Sequence, residues 1–242
     1  MNEAASSDGA ATTESPGATE KATRALLACG FVAGPIYVVA GLIQMLVRDG
    51  FDIRRHALSL LSNGDFGWIQ VANSLLTGLL VVAGAAGMRR VLRGRSGGTW
   101  GPPLLGLYGL GLIGAGLFRP DPALGFPPGL PADAYGAASW HGIMHFVAGG
   151  VGFLGLIAAC FVFARRFASL GERGWAAYSV ATGVVFFVAF FGIASGSKGP
   201  ASAAFAVAGV LAWAWISAMS ARLTKDQGGR TGNPSPTRIA NR

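Results

Sequence analysis

The sequence predicts an all-α integral membrane protein, a bundle of six transmembrane helices, on three observations. Only 12% of its 242 residues are charged and 52% are hydrophobic, with a mean hydropathy of +0.48; a soluble domain carries about a quarter charged residues. Six apolar stretches contain no Lys, Arg, Asp or Glu, and a hydrocarbon core of about 30 Å asks for roughly 20 helical residues of that kind. The six tryptophans stand at or near the edges of these stretches, the headgroup level where an indole is half buried and its N–H stays wet.

Residues 1 to 20 hold three glutamates, one aspartate and no basic residue. A secretory leader needs a positive start with an apolar run directly behind it, so 1–24 is read as a disordered cytoplasmic tail. Spans are expected over 25–47, 68–88, 102–118, 140–164, 175–195 and 201–221, the third being the shortest. Trp68, Trp140 and Trp175 open spans two, four and five, Trp100 precedes span three, and Trp213 and Trp215 lie toward the end of span six. Between the first two spans, Ile53, Ala57, Leu58, Leu60 and Leu61 recur at helical spacing, with Asp52 as N-cap and Gly64 as stop. This predicts a short amphipathic helix at the membrane interface, read as a surface-lying connector, with a lid as the alternative. The connection 120–139 is proline-rich and expected to cover a pocket mouth. Residues 222–242, rich in Gly, Pro and Arg, are read as a disordered basic cytoplasmic tail.

Net charge is +8 and the isoelectric point about 10.3, but the basic residues sit between apolar runs rather than on one polar face, which argues against a nucleic-acid partner. Fourteen of the nineteen Lys and Arg fall on the side that carries both termini; Arg48, Arg54, Arg55, Arg119 and Lys198 fall on the other. The positive-inside rule then puts both termini in the cytoplasm of a multi-pass protein of the cell (inner) membrane. Cys29 and Cys160 lie in apolar runs with no metal spacing and read as small buried hydrophobes.

Two segments, Gly109-Leu-Gly111-Leu-Ile-Gly114 and Gly150-Val-Gly152-Phe-Leu-Gly155, match the dinucleotide-binding fingerprint. That fingerprint works only between a strand and a helix N-terminus; both copies here lie inside spans. They are read as small-residue faces along which adjacent spans approach closely. Gly30-x-x-x-Gly34 and Gly192-x-x-x-Gly196 are read the same way. Ser195-Gly196 lacks the spacing and the later histidine of an intramembrane serine protease.

Polar side chains concentrate at the external ends. Gln44, Asn73, Ser74 and Thr77 lie in the outer parts of spans one and two, and Arg119 and Asp121 follow span three, placed to pair across a rigid turn. Hydrocarbon penalises unpartnered polar groups by several kcal/mol, which predicts an outward-facing polar pocket among spans one to four formed by Gln44, Asn73, Ser74, Arg119 and Asp121. All three histidines are external too, and His141-x-x-x-His145 puts two imidazoles on one helix face. His56, His141, His145 and Asp121 are therefore the candidate ligands of an alternative zinc site. The first reading needs no cofactor, and no catalytic residue is assigned.

Asp52, His56 and Ser59, then Gly67-Trp68, Asn73 and Gly78, then Phe118 with Asp121, then His141-Gly-x-x-His145 together resemble the multi-span bacterial and archaeal membrane proteins called domain of unknown function 998. The resemblance covers roughly 26–219. It implies a six-helix bundle in the cell membrane and brings no activity. The residues favour a membrane protein whose external pocket binds a small molecule, lipid headgroup or partner. A metal-dependent membrane hydrolase is the alternative, and a small-solute transporter ranks last, since no span is charged at its centre and no inverted repeat stands out. Oligomeric state is left open.

Overall fold

The structure, a computed structural model, describes residues 16–131, 138–195 and 201–231. Among them the chain forms six α-helices, one short 3-10 helix and no strand. They are α1 (Pro16–Val47), α2 (Gly67–Leu92), α3 (Gly101–Leu117), α4 (Trp140–Ser169), α5 (Arg173–Ala194) and α6 (Ala201–Thr231). Five are long and apolar enough to cross a membrane. The other, α3, is an apolar helix of 17 residues, about 25 Å at 1.5 Å per residue.

At the end bearing the α1–α2 and α3–α4 connections, every helix stops or starts within one residue of the expected span edge. At the opposite end the helices overrun it. Residues 16–24 and 222–231, read as tail, are helical; residues 1–15 and 232–242 lie outside the described residues. Apolar composition marks where lipid would end, but a helix continues wherever its backbone bonds do, including through polar residues.

Each helix packs against its neighbours in chain order, and α6 returns to α1. The closest approaches of α1 to α2 and of α3 to α4 are made at glycines. A methyl group at Gly111 would lie 2.6 Å from the Gly152 Cα, and one at Gly84 would lie 2.6 Å from the Gly30 Cα. Only hydrogen fits there, and the backbones of α3 and α4, and of α1 and α2, come into direct contact. The two fingerprint-like segments therefore do meet, at Gly111 and Gly152. Gly192 has open space beside it, and Gly196 lies outside the described residues.

The expected amphipathic helix over 52–64 is replaced by a turn and a 3-10 helix, Leu58–Ser62, whose Leu60, Leu61 and Ser62 are buried. Asp52 does not cap a helix: its carboxylate takes hydrogen bonds from Arg54 N and Nε at 2.9 and 3.0 Å, which hold it down to about pKa 2. The 3-10 segment packs with Phe126 of the α3–α4 connection, and Met45, Phe51, Leu58 and Ala123 close around them. Arg48 fastens this cap. It donates to Leu61 O at 3.2 Å and Asn63 O at 2.6 Å, with its guanidinium 5.3 Å from the Phe126 ring centre. Burial pulls the Arg48 pKa below its usual value, with Asp65 opposing the shift.

Trp68, Trp100 and Trp140 are exposed near helix starts, as an interfacial belt requires. Trp213 and Trp215 are not. Both are buried in the core, and the Trp215 N–H is satisfied by Ser179 Oγ at 3.0 Å rather than by water.

Candidate functional site: a cavity inside the helix ring

The helices line a partly open cavity of about 190 Å³ toward the α1–α2 end. All six helices line it, and Ala57, Leu58 and Ser59 of the first connection close over it. Its deeper wall is aromatic: Phe153 packs on Phe186, Phe190 and Phe205 with centroids 5.3 to 5.4 Å apart, and Tyr37 stacks on Trp213 at 4.7 Å. The polar lining toward the capped end comes from Gln70 and Ser74 of α2, His145 of α4 and Ser202 of α6, with Ser59 above, and Tyr37 and Tyr108 add two phenols to the deeper wall. No Asp, Glu, Lys or Arg lines it. An open surface notch at the other end, bounded by Glu172, Arg173, Gly174, Trp175, Tyr178 and Arg222, is larger at about 490 Å³. Its Arg222 is already paired with Glu172 at 2.6 Å.

Of the five residues expected to form a pocket, only Ser74 lines the cavity. Gln44 and Asn73 are buried behind its wall, where Gln44 Nε2 donates to Gln70 Oε1 at 2.8 Å and Asn73 Nδ2 reaches the same oxygen at 3.4 Å and Tyr37 O at 3.3 Å. They orient Gln70, which the sequence did not mark because one Gln near a span end looks like any interfacial residue. Thr77 turns back on its own helix, donating to Asn73 O at 2.6 Å. Arg119 is exposed and makes no ion pair among the described residues. Asp121 pairs with Ser139 instead, accepting from its backbone N–H at 2.9 Å and its hydroxyl at 2.5 Å. Ser139 Oγ in turn accepts from Gly142 N at 3.0 Å as the N-cap of α4. A carboxylate there faces the positive end of the helix dipole. The cavity also draws on α5 and α6, beyond the four spans first expected.

The zinc candidates do not converge: among the described residues no three His, Cys, Asp or Glu are grouped to hold a metal. His56 has both ring nitrogens occupied. Nδ1 accepts from Asp52 N–H at 2.9 Å, which puts the proton on Nε2, and that N–H donates to Leu124 O at 3.0 Å. His141 is exposed and lies on Trp140, centroids 3.7 Å apart. His145 uses Nδ1 against Ala115 O at 2.9 Å and Phe118 O at 2.8 Å, the carbonyls left unpaired at the end of α3. Only His145 of the three lines the cavity.

A family model described as "Protein of unknown function (DUF998)" matches residues 31–222. No curated protein and no solved structure matches the chain.

Proposed function

The chain belongs to the DUF998 family, and on that premise we propose that it binds a small, uncharged, largely apolar molecule inside the helix ring. In this reading all six helices cross the cell's inner membrane, α3 being the shortest crossing. Both ends of the chain lie in the cytoplasm and the cavity faces the outer leaflet. The positive-inside rule supports that orientation, since fourteen of nineteen Lys and Arg belong to the other end.

The observation that carries the proposal is the lining. It is aromatic and aliphatic over its depth, polar at the capped end, and free of charged side chains. A charged ligand would find no counter-charge and would lose its hydration without replacement. A volume of about 190 Å³ falls below the roughly 300–1,000 Å³ of pockets for drug-sized ligands. A slender or small molecule fits that space.

The test uses the full chain in lipid nanodiscs with a photoreactive medium-chain alkyl probe, the labelled residues being mapped by mass spectrometry. Labelling is expected at the cavity residues Phe153 and Phe205, and is expected to be lost in Gly209→Leu. Gly209 lines the cavity, and a Cβ there meets no atom within 4 Å, so the new side chain fills the space without pressing on the backbone. Equal cavity labelling in wild type and variant, or labelling confined to lipid-facing positions such as Val188, would overturn the reading.

A further inference from the structure

From the polar end of this cavity we infer that the ligand carries a hydroxyl head group, which donates its proton to His145 Nε2 and accepts from the Gln70 amide. The inference rests on the cavity-binding reading and narrows it to one chemistry.

The argument begins with the tautomer. A carbonyl oxygen can only accept, and Nδ1 of His145 lies 2.9 and 2.8 Å from two of them, Ala115 O and Phe118 O. Nδ1 therefore carries the ring proton. The residue is only 8% exposed, and no carboxylate lines the cavity to balance an imidazolium. The ring is neutral, and Nε2 is a bare acceptor. No described residue pairs with it.

Gln70 supplies the complementary group. Its Oε1 takes the amide hydrogens of Gln44 and Asn73, and its NH₂ donates one hydrogen to the Tyr37 oxygen, which leaves the second for the cavity. The wall thus offers a fixed acceptor on α4 and a fixed donor on α2. A ligand that only accepts, such as an ether, leaves Nε2 unpaired in an apolar site. A carboxylate also only accepts, and it brings a charge that nothing there neutralises. A hydroxyl both donates and accepts without charge.

Two matched probes decide it: a photoreactive medium-chain alkanol and its methyl ether, applied separately to the protein in nanodiscs. For each, cavity labelling at Phe153 and Phe205 is divided by lipid-facing labelling at Val188, which cancels the difference in membrane partitioning. In wild type the alkanol is expected to exceed the ether by about tenfold, the usual worth of one buried hydrogen bond. His145→Leu would also strip the α3 carbonyls of their donor, so His145→Asn is the better variant. Its amide N–H can take the place of Nδ1–H against α3 while Nε2 is deleted.

His145→Asn is expected to bind alkanol and ether equally. Equal ratios in wild type would overturn the hydroxyl assignment and leave the cavity reading standing. A preference that survives in His145→Asn would overturn the role of His145. Absence of cavity labelling by both probes would end the cavity reading itself. If His145→Asn does not fold, the wild-type ratio still decides the hydroxyl assignment.

Discussion

Ser217 Oγ donates a 2.8 Å hydrogen bond to the backbone carbonyl of Phe31, and the reason lies four residues further along α1. Pro35 sits inside that helix and has no N–H to give to the carbonyl one turn before it. In lipid no water is available, so a neighbouring helix must supply the donor. Gly34 makes the approach of α6 feasible, since a methyl there would lie 2.6 Å from Ser217 Oγ.

Ser217→Ala is accordingly expected to lower stability by about 1 kcal/mol, as interhelical hydrogen bonds in membranes do. In a Pro35→Ala background, where the helix satisfies its own carbonyl, the same substitution should cost less. Reversible unfolding in mixed detergent micelles measures the cycle. An equal loss in both backgrounds would show that the two residues are not coupled.

The glycine contacts predict a sharp contrast. Gly152→Leu drives a side chain into the α3 backbone at Gly111 and should destabilise the protein by about 2–3 kcal/mol or prevent folding. Gly192→Leu, where a Cβ meets nothing within 4 Å, should be close to neutral. Comparable effects at the two positions would contradict the packing described for α3 and α4.

His56 ties the first connection to the third. His56→Leu removes the acceptor for Asp52 N–H and the donor to Leu124 O, two part-buried bonds that tie the connections together, at about 1 kcal/mol each. The expected readout is local: faster hydrogen exchange around residues 51–63 and 123–126, with the helices unchanged. Unchanged exchange in both segments would refute the tie.

Asp121 and Ser139 together begin α4. Asp121→Ala should cost about 1–2 kcal/mol through the lost cap and the helix-dipole interaction, with faster exchange in the first turn of α4. Asp121→Asn, which keeps an acceptor for the Ser139 N–H, should recover part of it. A variant as stable as wild type would show that the carboxylate does not support this helix.

Some of the site was legible in the sequence. The bias of Gln44, Asn73, Ser74 and the histidines toward one end of the spans is a matter of depth, and depth follows from position along a helix. What position along the chain did not show was the direction in which each side chain turns. Gln44 and Asn73 turn toward each other and toward Gln70, Asp121 turns to Ser139, and His56 spends both nitrogens on the loops. His145, spaced with His141 for zinc, turns instead to backbone carbonyls at the end of α3, which need donors wherever water is scarce.

The sequence alone determined that this chain is a membrane protein, where its apolar helices meet the polar boundary on one side, and that glycine faces would let helices touch. Hydrocarbon imposes those outcomes residue by residue, since a charge or an unpaired peptide group within it is costly wherever it sits. Tertiary structure alone decided which side of each helix looks inward. Phe186 of α5 and Phe205 and Trp213 of α6 wall the cavity, while Val188 and Val207 on the same helices face outward. In water a polar stripe would distinguish the two faces. In lipid both are apolar, and only the fit of one helix against the next tells them apart.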